Sequence, residues 1–413
     1  MTTDRVESNR TDIVVGGGGM VGLTLGLALA KAGLAVTVAD PLPHETILDA
    51  RFDGRVTALA YSSVRMLEAL GVWARLEKDA QPITDILVTD GAPGRSASLF
   101  SLHFDSREAG QPLGHICENR HIRAALLAEA AQVPALRLLA RTEITSLRTA
   151  RRSLDVAFSS GQCVSAQLAV AADGRESGMR ESMGIGVTGW SYPQWGIVAT
   201  VEHEKSHRGV AYEHFLPSGP FAILPMTGNR SSLVWTEKED LAAAIVKLPE
   251  HAFEAELVQR FGSHLGAVKV SGPRWSYPLK FHLAREWVKP HFALAGDAAH
   301  GIHPIAGQGL NLGLKDAAAL TEVVIDAARL GLEFGSIEVL RRYERWRRFD
   351  SFSLAAATDL LNRLFSNDFA PLRLLRDVGL GVVDRLGPAR RFFMQHAGGE
   401  VGKLPRLMKG EAA

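Results

Sequence analysis

Three places in this chain set a carboxylate at the end of an apolar run with glycine beside it. The first is Asp12–Gly16, which leads into Gly17-Gly18-Gly19-Met20-Val21-Gly22 and then, after a small-residue helical stretch, into Ala35–Ala39 and Asp40. The second is Val164–Ala172, which ends in Asp173-Gly174. The third is Phe292–Ala295, which ends in Gly296-Asp297 and runs on through Pro304, Gly307, Gln308, Gly309, Leu310 and Asn311 into a helical stretch. A carboxylate at a strand tip can hydrogen-bond the hydroxyls of a sugar-like chain. A helix that starts after glycine leaves bare N–H donors facing whatever sits there. Taken singly, each segment also reads as an ordinary turn, since turn glycines and helix-capping acids are common.

The first segment has the sharpest chemistry. Gly17, Gly19 and Gly22 fit G-x-G-x-x-G between two short apolar runs, with an acid about 20 residues on. The glycines permit a tight turn, close approach of a pyrophosphate and close helix–strand packing, and the acid can bind a ribose hydroxyl pair. That pattern points to a dinucleotide and leaves FAD and NAD open. Arg55, after Asp53-Gly54, and Arg120, at a helix start, are candidate phosphate contacts; the competing reading is a surface salt bridge for Arg55 and a solvated arginine for Arg120. His300 and His303 are three apart, but no clustered cysteine or carboxylate completes a metal site, so no metal is expected. A structural or cofactor-proximal place suits the two histidines better. No Ser-His-Asp set has local support, and no second G-x-G-x-x-G marks a resident NAD(P)H domain.

The elements that must hold these residues follow from pattern. At 413 residues the chain exceeds one simple core. Hydrophobic content of 46% and charged content of 22% suit a globular protein. A net charge of +1 gives no reason to expect nucleic acid. Cys117 and Cys163 form no CxxC, exclude a disulfide framework and are expected to be buried small hydrophobes in a reducing compartment. The polar N-terminus is not expected to be a secretory signal, and no run of about 18 uncharged apolar residues is present. Ser62 and Ser63 are expected to cap a helix carrying Val64, Leu67 and Leu70. Short apolar runs from Gly184 to Tyr277 predict an antiparallel sheet, with one helix-like insert at Asp240–Phe261. Such a sheet is a natural wall for a substrate pocket. Beyond Leu330 the chain is helical and arginine-rich, expected as a solvated face over the core. Arg390 to Met394 could alternatively touch a membrane surface.

The order G-x-G-x-x-G with Asp40, then Asp173-Gly174, then Gly296-Asp297 resembles the FAD-dependent aromatic hydroxylases with the p-hydroxybenzoate hydroxylase-like fold. The run HPIAGQGLN, together with LPSGPFAILPM, is similar to their ubiquinone-biosynthesis branch. The resemblance spans nearly the whole chain. It implies an α/β fold: a Rossmann-like FAD-binding domain from residues 1–80, 106–183 and 285–335, with an inserted antiparallel-sheet substrate domain from 81–105 and 184–284, and C-terminal helices over 336–413. It implies FAD held by Gly17, Gly19, Met20, Val21, Gly22, Asp40, Arg55, Arg120, Asp173, Asp297, Pro304, Gly307, Gln308, Gly309, Leu310 and Asn311. Asp297 would take the ribityl chain, and Gly307 to Asn311 the isoalloxazine edge. The implied reaction moves one oxygen of O2, through a flavin C4a-hydroperoxide, to the ring of a polyprenylated phenol. The reductant would be NAD(P)H or a protein donor. The protein would be cytoplasmic, weakly peripheral to the inner membrane, and a partner in a ubiquinone-biosynthesis complex or homo-oligomer. The alternatives are a hydroxylase of a small soluble phenol and a scaffold that retains FAD. Glu213-His214-Phe215 stands where Gln-Arg-Phe is expected of that branch, so no ring-binding residue is assigned.

Overall fold

A computed structural model describes residues 10–43, 46, 53–91, 101–302, 307–365, 398–399 and 402–413. The chain opens as a βαβ unit: β1 (Arg10–Gly16), α1 (Met20–Lys31) and β2 (Val36–Ala39). Next come β3 (Val56–Ala60), α2 (Tyr61–Ala69), β4 (Ala80–Ile83), β5 (Asp85–Asp90), β6 (Ser101–Asp105), β7 (Gly114–Glu118), α3 (Asn119–Ala130) and β8 (Leu136–Leu139). A meander of β9 (Ile144–Thr149) and β10 (Leu154–Phe158) leads into β11 (Cys163–Ala171). Then follow β12 (Val187–His203), β13 (Val210–Leu216), β14 (Gly219–Met226), β15 (Arg230–Glu237), α4 (Glu239–Val246), α5 (Glu250–Phe261), β16 (Val268–Val270) and β17 (Trp275–Ala284). The last elements used here are β18 (Val288–Lys289), β19 (Phe292–Leu294), β20 (His300–Gly301), α6 (Gly309–Arg329) and α7 (Ile337–Phe365).

These elements form two large sheets and a small one. The first has the order β18-β19-β11-β1-β2-β8, with β9 and β10 appended to β11. Its centre is parallel: β1 pairs with β11 and β2, β2 with β8, and β11 with β19. Both faces are covered, which explains why β1 and β2 read as near-continuous apolar runs. Ile13, Val14 and Val15 have no exposure, and Leu25, Leu27, Leu29 and Leu320 pack in the same core. The second sheet has the order β20-β17-β12-β15-β14-β13-β5-β6. The third is β3-β7-β4.

Four expectations change. The second sheet is mixed, because β5 joins β13 in parallel from an earlier part of the chain. The expected single insert is two helices, since Pro249 sits at the N-cap of α5 and cannot continue α4. Ser62 and Ser63 lie inside α2, whose N-cap is Ala60. Their hydroxyls instead donate to the Gly399 carbonyl and to Asn311. Cys117 is buried and its thiol is pushed up to about 12 by that burial, but Cys163, at the outer end of β11, is exposed.

Both faces of the second sheet are in use. One packs Phe221, Ile223 and Trp235 against Phe253, Leu257 and Phe261 of α5. The other turns Ala211, Phe215 and Met226 toward Ile83 and Ile116 of the small sheet. Among the described residues no helix is long and apolar enough to cross a membrane.

Candidate active site

The turn after β1 places the first two carboxylate segments against each other. Gly17 has φ +101°, and a Cβ there would collide with the Ala172 carbonyl, next to Asp173. Gly22 has no room either, because the Gly17 carbonyl lies against it. Gly19 differs: open space surrounds its Cβ position, and it is the N-cap of α1. No side chain caps that helix and no acid stands in its first turn. Its N–H groups and the positive end of its dipole are therefore available to an anion such as a pyrophosphate.

Asp40 ends β2 and accepts the Gly18 N–H at 2.6 Å and the Leu42 N–H at 2.8 Å. It lies in a cleft lined also by Gly18, Leu23, Val38, Leu127 and Leu138. One acidic group against an apolar wall suits an adenosine.

Asp173 accepts the Met179 N–H at 3.1 Å through Oδ2, while Oδ1 is buried with no partner among the described residues. A buried carboxylate oxygen without a donor is costly, which marks the place where a ligand donor would sit. Asp297 is exposed, while Gly296, Ala298 and the residues beyond them are buried. No described residue pairs with its carboxylate. The first and third segments meet through Val21: a Cβ on Gly296 would lie 3.2 Å from it, and one on Gly313 would lie 2.6 Å away. The Gly17–Gly22 turn is thus joined to the Asp173 segment on one side and to the Asp297 turn on the other.

The start of α6 completes this wall. Gly307 has φ +61° and faces Ala58 of β3, 3.5 Å from a hypothetical Cβ. Gly309 begins the helix with open space before it, Gln308 is the N-cap, and no acid stands in the first turn. Leu310 is half-buried against the main core, as are Met20 and Val21.

The side chain of Asn311 is taken up by protein partners, which leaves its backbone for the expected place. Its Oδ1 accepts Ala60 N–H and Ser63 Oγ, both at 2.9 Å, and its Nδ2 donates to the Ala58 carbonyl at 2.8 Å. It pins α6 to β3 and α2, which fixes where the helix N-terminus points. Arg55 stands largely in solvent, 3.9 Å from Asp53. Arg120 pairs with Glu118 at 2.7 Å, and Glu118 also takes Arg230 at 3.0 Å. Pro304 and His303 lie outside the described residues.

Of the residues that hold the Asp297 turn, only His300 was expected to have a structural or cofactor-proximal place; Asp316, Arg347 and Tyr343 were not read from the sequence. Asp316 of α6 is fully buried. Its Oδ2 accepts the Gly296 N–H at 3.0 Å and pairs with His300 Nε2 at 2.6 Å. Its Oδ1 accepts Arg347 Nε at 2.9 Å. Arg347 has no exposure, contrary to the solvated face expected of α7, and also reaches Asp350 at 2.8 Å. Burial alone would raise the Asp316 carboxyl; the His300 and Arg347 charges outweigh it and hold the group below the usual range. Tyr343 donates to the Leu294 carbonyl at 2.7 Å, so α7 also grips β19. An arginine embedded among other arginines gives no sequence signal that it faces inward.

Across from this wall, pairing register builds a floor. Val88, Glu213, Ala222, Val234, Val198 and Trp275 are successive partners over β5, β13, β14, β15, β12 and β17. They share one sheet face, the one that carries Ala211 and Phe215 toward Ala58. Apart from Glu213 the row is apolar.

Comparison with known proteins agrees with this geometry. The family described as FAD binding domain matches residues 10–348. The ubiquinone hydroxylase UbiL of Rhodospirillum rubrum is 50% identical over 403 residues, covering 97% of this chain and 92% of that protein. The 3-demethoxyubiquinol 3-hydroxylase of Escherichia coli is 34% identical, with 94% and 98% covered. Among solved structures, p-nitrophenol 4-monooxygenase PnpA from Pseudomonas putida has the same fold at a TM-score of 0.77 and 19% identity, covering 95% of this chain and 99% of that one. An orphaned carboxylate oxygen at Asp173, an open one at Asp297 and two uncapped helix starts are what a long dinucleotide with a flavin ring needs. The chain belongs to the FAD-dependent aromatic-ring hydroxylases, in the branch that holds the ubiquinone-biosynthesis monooxygenases.

Proposed function

We propose that this enzyme hydroxylates the ring of a polyprenylated phenol on the route to ubiquinone, and that it works at the cytoplasmic surface of the inner membrane. The observation that carries the substrate class is the apolar row Val88, Ala222, Val234, Val198 and Trp275, broken by one carboxyl. A greasy floor of that length suits a ring bearing a hydrocarbon tail better than a small polar acid.

FAD, when bound and reduced, would supply the two electrons that activate O2, one of whose oxygen atoms reaches the ring while the other leaves as water. The chain's own residues position and shield. The Gly17–Gly22 turn and the start of α1 would hold the pyrophosphate, with Asp40 at the adenosine ribose. Asp297 would hold the ribityl hydroxyls, with the unpaired Asp173 oxygen accepting a hydrogen bond from the same cofactor. The backbone N–H groups at Gly307–Asn311 would face the polar edge of the flavin ring, where a well-placed donor is worth roughly 3 kcal/mol. The packed face beneath Ala58 keeps water from the reacting atoms.

Two measurements test the reading. The purified protein should show flavin absorbance and bind added FAD; a colourless protein that binds none ends the cofactor assignment. A strain lacking the gene should accumulate a prenylated phenol, identified by mass spectrometry. Normal ubiquinone in that strain ends the pathway assignment, and turnover of soluble phenols alone points to the small-substrate alternative.

A further inference from the structure

Glu213 is the carboxyl that interrupts the apolar sheet row Val88, Ala222, Val234, Val198 and Trp275. It lies on β13 between Val88 of β5 and Ala222 of β14, on the face shared with Ala211 and Phe215. That face packs toward Ala58, which stands across from Gly307 at the flavin-edge turn. The side chain keeps some accessible surface although it is deep in the protein, as expected of a residue lining an internal chamber. No described residue hydrogen-bonds or pairs with its carboxyl. An ionisable group kept alone in apolar surroundings is costly, and a structural role would have given it a partner.

The charged groups around it are engaged elsewhere. Asp90, two places along β5 on the same face, accepts the Gly91 N–H at 3.0 Å. Arg230 of β15 is held by Glu118 of β7, which also takes Arg120. Arg175, in the loop after β11, acts on Tyr277 at the far end of the face. His214, Tyr212 and Thr89 point to the opposite face, where His214 Nδ1 meets Thr89 Oγ1 at 2.6 Å.

We propose that Glu213 meets the ring hydroxyl of the substrate and takes its proton. The assignment rests on the hydroxylase reading above. The O–H bond of the phenol breaks, the electron pair stays on the ring oxygen, and the proton passes to a carboxylate oxygen of Glu213. No electron is exchanged in this step. The charge spreads to the ortho and para carbons, which raises their reactivity toward an electrophilic oxygen. The proton returns to the ring oxygen after transfer. Burial pushes the Glu213 carboxyl up to about 7, close to the range where a general base works best at neutral pH.

The test is a single turnover on the FAD-loaded enzyme. The bound flavin is reduced with dithionite and mixed with oxygenated buffer and a phenol carrying a short prenyl chain. Hydroxylated product per flavin is then counted from pH 5.5 to 9. Wild-type yield should rise through pH about 7. Glu213→Gln should lose that rise and fall about 100-fold in product, with FAD binding and circular dichroism unchanged. Glu213→Asp should recover part of the yield. A second readout is the ultraviolet spectrum of the phenol bound to oxidised enzyme: the Glu213 carboxylate beside the hydroxyl opposes a second negative charge, so phenolate should appear at higher pH in wild type than in Glu213→Gln. Wild-type turnover with an unchanged yield, pH profile and bound-phenol spectrum in Glu213→Gln would overturn the role of Glu213 alone. Wild-type enzyme that hydroxylates no phenol overturns the hydroxylase reading and this assignment with it.

Discussion

Replacing Asp316 by Asn probes how the cofactor wall is held. The substitution keeps size and removes one charge. In the native protein one carboxylate serves three donors: the Gly296 N–H, His300 Nε2 and Arg347 Nε, at 3.0, 2.6 and 2.9 Å. An asparagine offers one accepting oxygen, so its NH2 must face either the Gly296 N–H or the guanidinium, donor against donor. Arg347, fully buried, keeps Asp350 but loses its other carboxylate. Breaking a buried pair costs about 3–5 kcal/mol, and the surviving Asp350 contact puts the expected loss near 3 kcal/mol. Urea unfolding measures it, with and without added FAD. The Gly296 turn also loses its anchor, so Asp297 shifts and FAD binds about tenfold more weakly by flavin fluorescence titration. The double variant Asp316→Leu with Arg347→Met removes both charges; stability should return to within about 1 kcal/mol, while FAD affinity should not. The depressed Asp316 carboxyl contributes stability above the ordinary carboxylate range and loses it as pH falls through the folded value. Wild type and Asp316→Asn should therefore converge in acid. A loss under about 1 kcal/mol near neutral pH would refute the clamp.

Other outcomes follow from single residues. Gly17→Ala forces a side chain into positive φ and against the Ala172 carbonyl; it should cost roughly 1–3 kcal/mol in strain, and FAD should be lost on gel filtration. Asp297→Ala, with no described residue paired to its carboxylate, should leave stability within about 0.5 kcal/mol and weaken FAD binding by about 1.5–3 kcal/mol, read by titration. Glu213→Gln should be more stable than wild type at pH 8. The folded carboxyl, raised from 4.5 to about 7, binds its proton more tightly than the unfolded one, so wild type loses stability as pH rises from 4.5 to 7. The gain should reach about 3 kcal/mol at pH 8 and vanish near pH 4; equal gains at both ends would contradict the burial of Glu213.

Sequence alone carried the elements whose signal is local. The run Asp12–Gly16, the glycines at 17, 19 and 22 and the strand before Asp40 declare a βαβ turn, because tight turns and buried parallel strands each demand a narrow set of residues. The strand–Asp297–helix order was legible for the same reason. The family followed from the order of three short motifs along the chain.

Tertiary structure decided what depends on residues far apart. That Val21 touches Gly296 and Gly313, that Asn311 spends its side chain on β3, and that Arg347 turns inward to Asp316 are consequences of packing between segments up to hundreds of residues apart, which no local pattern encodes. Glu213 looked like a departure from a motif; only the pairing of β5, β13, β14, β15, β12 and β17 places it alone in an apolar row. Sequence types a strand by its neighbours in the chain, while a carboxyl's protonation is set by its neighbours in space.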